Sequence, residues 1–119
     1  MELTEYVAAY LRANGFPQAT SGAMPPEPDR TATVYATGLR TRRDDEGSRF
    51  QVIVRSAKGA DTALSDAMQI MELLEDFSGI MTVDSPYFGR IVTESGIAAM
   101  GEDDSRRLLY SMNFRAWYC

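Results

Sequence analysis

The chain has 119 residues, 45% hydrophobic and 24% charged, a composition that fits one globular domain and lies far from disordered and membrane classes. No apolar run approaches the roughly 18 residues of a membrane span, and Glu2 and Glu5 stand where a secretory signal needs positive charge, so a cytoplasmic product is expected. A net charge of −5 argues against nonspecific nucleic-acid binding, the lack of histidine removes the commonest metal ligand and general base, and a lone cysteine, Cys119, excludes an internal disulfide.

In chain order, Leu3, Tyr6, Val7, Tyr10 and Leu11 recur at helical spacing, predicting an amphipathic helix over residues 1–15 that Asn14-Gly15 ends. Residues 16–30 hold four of the five prolines and read as an irregular, stiff connection; Pro25-Pro26-Glu27-Pro28 is also compatible with a recognition motif. Thr31 to Thr37 alternates and is rich in β-branched residues, predicting a strand. The next strand, Arg49 to Ser56, sets Phe50, Val52 and Val54 against Gln51, Ile53 and Arg55. Between them, Gly38 to Ser48 predicts a long hairpin arm in which Arg40, Arg42 and Arg43 precede Asp44, Asp45 and Glu46. Such charges pair weakly in solvent, at ~0–1 kcal/mol each. Alternatively they dock the arm against another subunit.

After Ser56 the hydrophobic period switches from two to about 3.6. Leu64, Ala67, Met68, Met71, Leu74 and Phe77 predict the buried stripe of a helix, with Asp61 capping its start and Gly79 its end. Ser78 to Phe88 reads as a connection, Gly89 to Ser95 as a strand, Gly101 to Ser105 as an acidic turn, and Arg107 to Tyr118 as a long terminal strand. The expected fold is α+β in a single domain, 1–119. An antiparallel sheet of two hairpins, one with the extended arm, carries the N-terminal and central helices on one face.

No residues with the makings of a catalytic, cofactor or metal site emerge. Cys119 lacks a neighbouring base to lower its pKa. Glu102, Asp103 and Asp104 lack the alternating spacing and distal glutamate of a calcium loop, and Gly96 to Gly101 is followed by no lysine or helix that could cradle phosphate. Met68, Met71 and Met112 are placed as core fillers.

Three segments together carry a likeness: Phe50 to Arg55 (FQVIVR), the helix from Ala63, and Gly101 to Trp117 (GEDDSRRLLYSMNFRAW). Over roughly Thr31 to Trp117 the chain resembles the minor capsid or tail-terminator family of long-tailed bacteriophages. There, a hydrophobic strand ending in arginine (here Arg55) leads into a helix. A Gly-acidic turn with arginine (Gly101, Asp103, Asp104, Arg106) then precedes a strand with an Asn-Phe pair (Asn113, Phe114). The resemblance implies a structural protein of the virion, not an enzyme. It would form a hexameric ring that caps the tail tube and offers the head-tail joining surface, with DNA sliding through the lumen unbound. The implied partners are copies of itself, the tail-tube protein and a neck or connector protein, with the tail or neck as location after assembly in the host cytoplasm. Small phage proteins of this layout also include head-tail connector components. Arg40, Arg42, Arg43, Asp44, Asp45, Glu46, Arg55, Asp103, Asp104 and Arg106 are the candidate interface residues. A reading from another class is a small-ligand or peptide-binding regulatory module using the sheet face opposite the helices, where Tyr35, Ile53, Leu109 and Trp117 would form an apolar patch.

Overall fold

The computed structural model describes residues 2–38, 47–57 and 61–118. Helix α1 (Leu3–Ala13) is followed by strands β1 (Ala19–Ser21), β2 (Thr31–Gly38) and β3 (Ser48–Arg55). Helix α2 (Ala63–Leu74), β4 (Gly79–Ile80), β5 (Tyr87–Glu102) and β6 (Leu108–Tyr118) complete the order. The strands form one sheet in the order β1-β2-β3-β6-β5-β4. The sheet is mixed, which corrects the all-antiparallel expectation, because β1 pairs in parallel with β2 while every other pairing is antiparallel. That strand lies within the proline-rich connection, where three residues are too few to show alternation in the sequence. Ala19 to Ser21 pair with Ala32 to Val34, and the Thr20 and Thr33 hydroxyls meet at 2.8 Å.

The inward residues of β3 and β6 alternate as expected: Phe50, Val52, Val54, Met112, Phe114 and Ala116 are fully buried. Phe50 and Phe114, directly opposite in the register, stack at 5.2 Å with their planes 20° apart. Val7, Ala8 and Leu11 of α1 join the same core as the buried residues of α2, so both helices cover one face. Helix α1 ends as predicted. Gly15 takes a positive φ of 107°, which lets the Phe16 N–H reach the Leu11 carbonyl at 3.0 Å.

Helix α2 is rotated from its predicted orientation. Ala63, Asp66, Ala67, Ile70 and Leu74 are buried, whereas Leu64 and Met68 are 40% and 58% exposed. Two overlapping apolar stripes share this helix. The one with Ala63 and Ala67 faces inward because small side chains let the helix axis approach the sheet. The ends also differ from expectation. The Ser56 hydroxyl at the close of β3, rather than Asp61, accepts the Ala63 N–H at 2.9 Å, and the left-handed residue that directly follows the helix is Asp76 (φ 59°), while Gly79, also at a positive φ (126°), opens the next strand.

The hairpin arm predicted for Gly38 to Ser48 falls mostly outside the described residues, which resume at Gly47. A Cβ at Gly47 would lie 2.9 Å from the Ala116 carbonyl and 3.0 Å from the Trp117 ring, and its φ is 70°, so the arm's base admits only glycine there.

Candidate interface

Arg55 belongs to the outer alternation of the sheet, opposite the helices, beside Thr31 on β2 and Leu109 on β6. It was expected to project toward solvent or a subunit boundary, and it is instead 3% exposed. The residues around the prolines fold across this end of the outer face. Arg55 Nε donates to the Asp29 carbonyl at 2.7 Å, and one Nη donates to the Pro25 and Pro28 carbonyls at 2.8 Å each. Prolines bring carbonyls without N–H groups, so this segment cannot satisfy its acceptors internally, and a planar guanidinium does so from below. Desolvation by burial, with Arg107 nearby, lowers the Arg55 pKa from its ordinary value, yet an arginine stays protonated throughout the physiological range. Thr31, Thr33 and Ser111 are also buried on this face, Thr31 donating to the Gln18 carbonyl at 3.0 Å and Thr33 meeting Thr20 on β1.

A second arginine, Arg107, ties the loop to the β5–β6 turn. It donates to the Pro26 carbonyl at 2.9 Å, to Asp29 Oδ1 at 3.1 Å and to Asp103 Oδ2 at 2.8 Å. Asp103 thus acts within the subunit. Its Oδ1 accepts the Ser105 and Arg107 N–H groups at 2.9 and 3.0 Å, closing a three-residue loop, 104–106, whose last residue, Arg106, has a left-handed φ of 60°. Asp104 and Arg106 are exposed at the tip. The backbone N–H of Arg107, reinforced by its side chain and by Ser105, holds Asp103 below the ordinary aspartate value of 3.8. The unfolded chain therefore takes up the proton first. This contribution to stability is complete above pH 3.8 and is lost as the pH falls from there through the lower folded-state value. In thermal melts against pH, the melting-temperature advantage of the native protein over Asp103→Asn is expected to shrink below that point.

At the other end of the outer face, Arg49 and Arg115 stand directly opposite each other in the register, an arrangement that repels. Glu94 bridges them, accepting from Arg49 Nε at 2.9 Å and from Arg115 Nη2 at 2.8 Å, and the Arg115 guanidinium lies 5.9 Å from the centre of the Trp117 ring. Asn113 donates to Ser95 Oγ at 2.8 Å beside this network. Tyr35, Ile53, Leu109 and Trp117 do share the outer alternation and are each half-buried, with Gln51, Arg55, Asn113 and Arg115 interspersed on the same face.

Of the sequence-derived candidates, Arg40, Arg42, Arg43, Asp44, Asp45 and Glu46 lie outside the described residues. The structure gathers Arg55 and Asp103 into the loop-fastening cluster and sets Asp104 and Arg106 at the exposed tip. Sequence reasoning did not single out Arg107, Asp29 or Glu94. Nor did it find the pair between buried Asp66 of α2 and Arg30, whose Nε and Nη2 donate to the carboxylate at 2.8 and 2.6 Å. Among the described residues no group of three or more His, Cys, Asp or Glu could hold a metal ion, and no helix is long and apolar enough to cross a membrane.

The described residues thus form a helix-backed sheet with a polar, ion-paired outer face, a strapped loop and a charged turn tip. Residues 10–118 match the model of the bacteriophage tail terminator protein family. The chain belongs to that family, whose members are structural proteins of the phage tail. Among solved structures, a chain from the virion of a native gene transfer agent particle aligns with a TM-score of 0.66 and 18% identity, over 98% of this chain and 93% of its own length, and so shares the fold. A second solved chain, at TM-score 0.48 and 17% identity over 96% of this chain and 86% of its own, is too distant to argue from. A search of curated proteins finds no match.

Proposed function

We propose that this protein is a tail terminator in the full sense: six copies close into a ring at the head-proximal end of the tail tube, stop its growth and present the surface that joins the head. The match of residues 10–118 to the tail terminator family carries this reading. A sheet covered by helices on one face supports it, because the Arg49–Arg115 end of the other face, away from the proline-rich loop, stays available for neighbours. So does the charge along the arm, which suits a closing, head-to-tail contact. The net charge of −5 fits a lumen that DNA traverses without adhering. In this reading the ring resides in the virion at the tail–neck junction and is assembled in the host cytoplasm.

Tail-tube protein polymerised with and without this protein tests the idea by electron microscopy. Capped tubes of limited length are expected. Tubes that grow unchecked, with the added protein staying monomeric by light scattering, would reject it. Capping absent but binding to the neck protein present would assign the chain to the connector instead. Reversing Arg40, Arg42 and Arg43 to glutamate is expected to leave the circular dichroism and melting temperature unchanged while abolishing ring formation. Tails of normal length joined to heads in that variant would remove the arm from the contact.

A further inference from the structure

Beyond Thr93, strand β5 has an open edge. β4 pairs with it only at Tyr87 and Phe88, and the backbones of Asp76 and Phe77 reach it only at Ile91. From Ser95 to Glu102 every residue but Ile97 is exposed, so among the described residues this stretch has one neighbour, β6. Its Ser95-Gly96-Ile97-Ala98-Ala99-Met100-Gly101 run has no proline and no charge, two of the devices that guard an edge against a further strand. Register shifts between Thr93 and Ser95, Ser95 and Ala98, and Ala99 and Gly101 curl the edge. Such a curl disfavours a long, flat partner such as another β5 and leaves room for a short one. At the end of the stretch, Glu102 and Asp104 are exposed, and neither has an ion-pair partner among the described residues.

The chain has one segment of complementary chemistry, Leu39-Arg40-Thr41-Arg42-Arg43, which directly follows β2. In its own subunit it falls short of the acidic end of that edge. The arm's base lies where Ser48 pairs with Ala116, whereas Glu102 pairs with Leu108 at the opposite end of β6, roughly 26 Å away at about 3.3 Å per residue. An arm of eight residues between Gly38 and Gly47 that must go out and return spans only about half that distance. We infer that the β5 edge from Ser95 to Glu102 receives residues 39–43 of a neighbouring copy as an added strand, with Glu102 and Asp104 pairing with its arginines. Joining the arm end of one subunit to the turn end of the next is a heterologous contact, the kind that repeats around a ring. The inference rests on the reading of the protein as a self-assembling subunit and specifies where the copies meet.

Cross-linking between two single-cysteine proteins, each also carrying Cys119→Ser, tests it. When Thr41→Cys and Ala99→Cys copies are mixed and mildly oxidised, a disulfide dimer is expected on a non-reducing gel. Thr41→Cys mixed with Ser65→Cys, on the outside of α2, should give none. Glu102→Lys with Asp104→Lys should weaken association about tenfold at low salt, corresponding to two exposed pairs. Combining these changes with Arg40→Glu and Arg42→Glu should restore it. Oligomers by light scattering without the Thr41–Ala99 link would overturn the edge contact while leaving self-assembly standing. Ala99→Cys copies that link to each other would replace it with β5–β5 pairing. A protein that stays monomeric at high concentration would remove both the contact and the ring.

Discussion

Arg55→Met is expected to cost about 3 kcal/mol of unfolding free energy and to lower the melting temperature by about 10 °C, although the residue touches no other secondary-structure element's side chains through hydrogen bonds. Methionine matches much of the arginine's buried length, so little cavity is created. What is lost is a charged donor shared by the carbonyls of Pro25, Pro28 and Asp29. Hydrogen bonds to a charged group contribute ~1.5–3 kcal/mol each, and the freed carbonyls recover part of that from water once the loop loosens, which sets the net figure below the sum. Arg55→Lys should recover only a fraction, because an ammonium cannot reproduce the planar fork. Denaturant unfolding measures the cost, and limited proteolysis over residues 22–30 should show earlier cleavage in Arg55→Met. A cost under about 0.5 kcal/mol, the level of an ordinary surface substitution, would show that the loop is held by other means.

Phe114→Ala is expected to destabilise by about 3–5 kcal/mol, a large share of the ~5–15 kcal/mol available to a domain of this size. Phe114 is fully buried, stacks on Phe50 across the β3–β6 ladder, and lies in the core that both helices cover. Truncation removes the ring's burial and leaves a cavity that rigid neighbours on two strands cannot collapse. Leu64→Ala, on the exposed side of α2, should change stability by less than about 0.5 kcal/mol. Chemical unfolding of the two variants side by side separates the observed orientation of α2 from the predicted one, which would bury Leu64 and make its loss costly.

The asymmetry between these variants shows how far the residues could be read without the fold. Period-two alternation in Phe50 to Arg55 and Leu108 to Tyr118 identified both central strands and their inward residues, because an apolar side chain on a pleated strand has only two directions available. Asn14-Gly15 marked the end of α1 because few other residues take the left-handed conformation. Helix α2 was legible as a helix but not in its rotation. Leu64 and Met68 compete with Ala63, Ala67 and Ile70 for the core, and hydrophobicity alone favours the larger residues. Closeness of packing decided for the smaller ones.

The candidate interface divides along the same line. Chemistry absent from the residue types, and a charged segment between two strands, could be recognised by inspection, since they depend on what the side chains are. The fate of Arg55 could not. Its place on the outer alternation was correct, but a strand's alternation does not reveal what folds over it, and the covering segment is separated from it by more than twenty residues of chain. The link from Arg107 to Asp29 and Pro26 was hidden for the same reason: bonds between residues far apart in sequence leave no local pattern, whereas the Asp103–Arg107 pair is local to its turn. The sequence by itself determined both helices, the four longer strands and the lack of familiar catalytic motifs. Tertiary structure alone decided which helix face is buried, that the proline-rich segment supplies a parallel strand and roofs the outer sheet, and that one long strand keeps an open edge, because each depends on what packs beside an element rather than on its own periodicity.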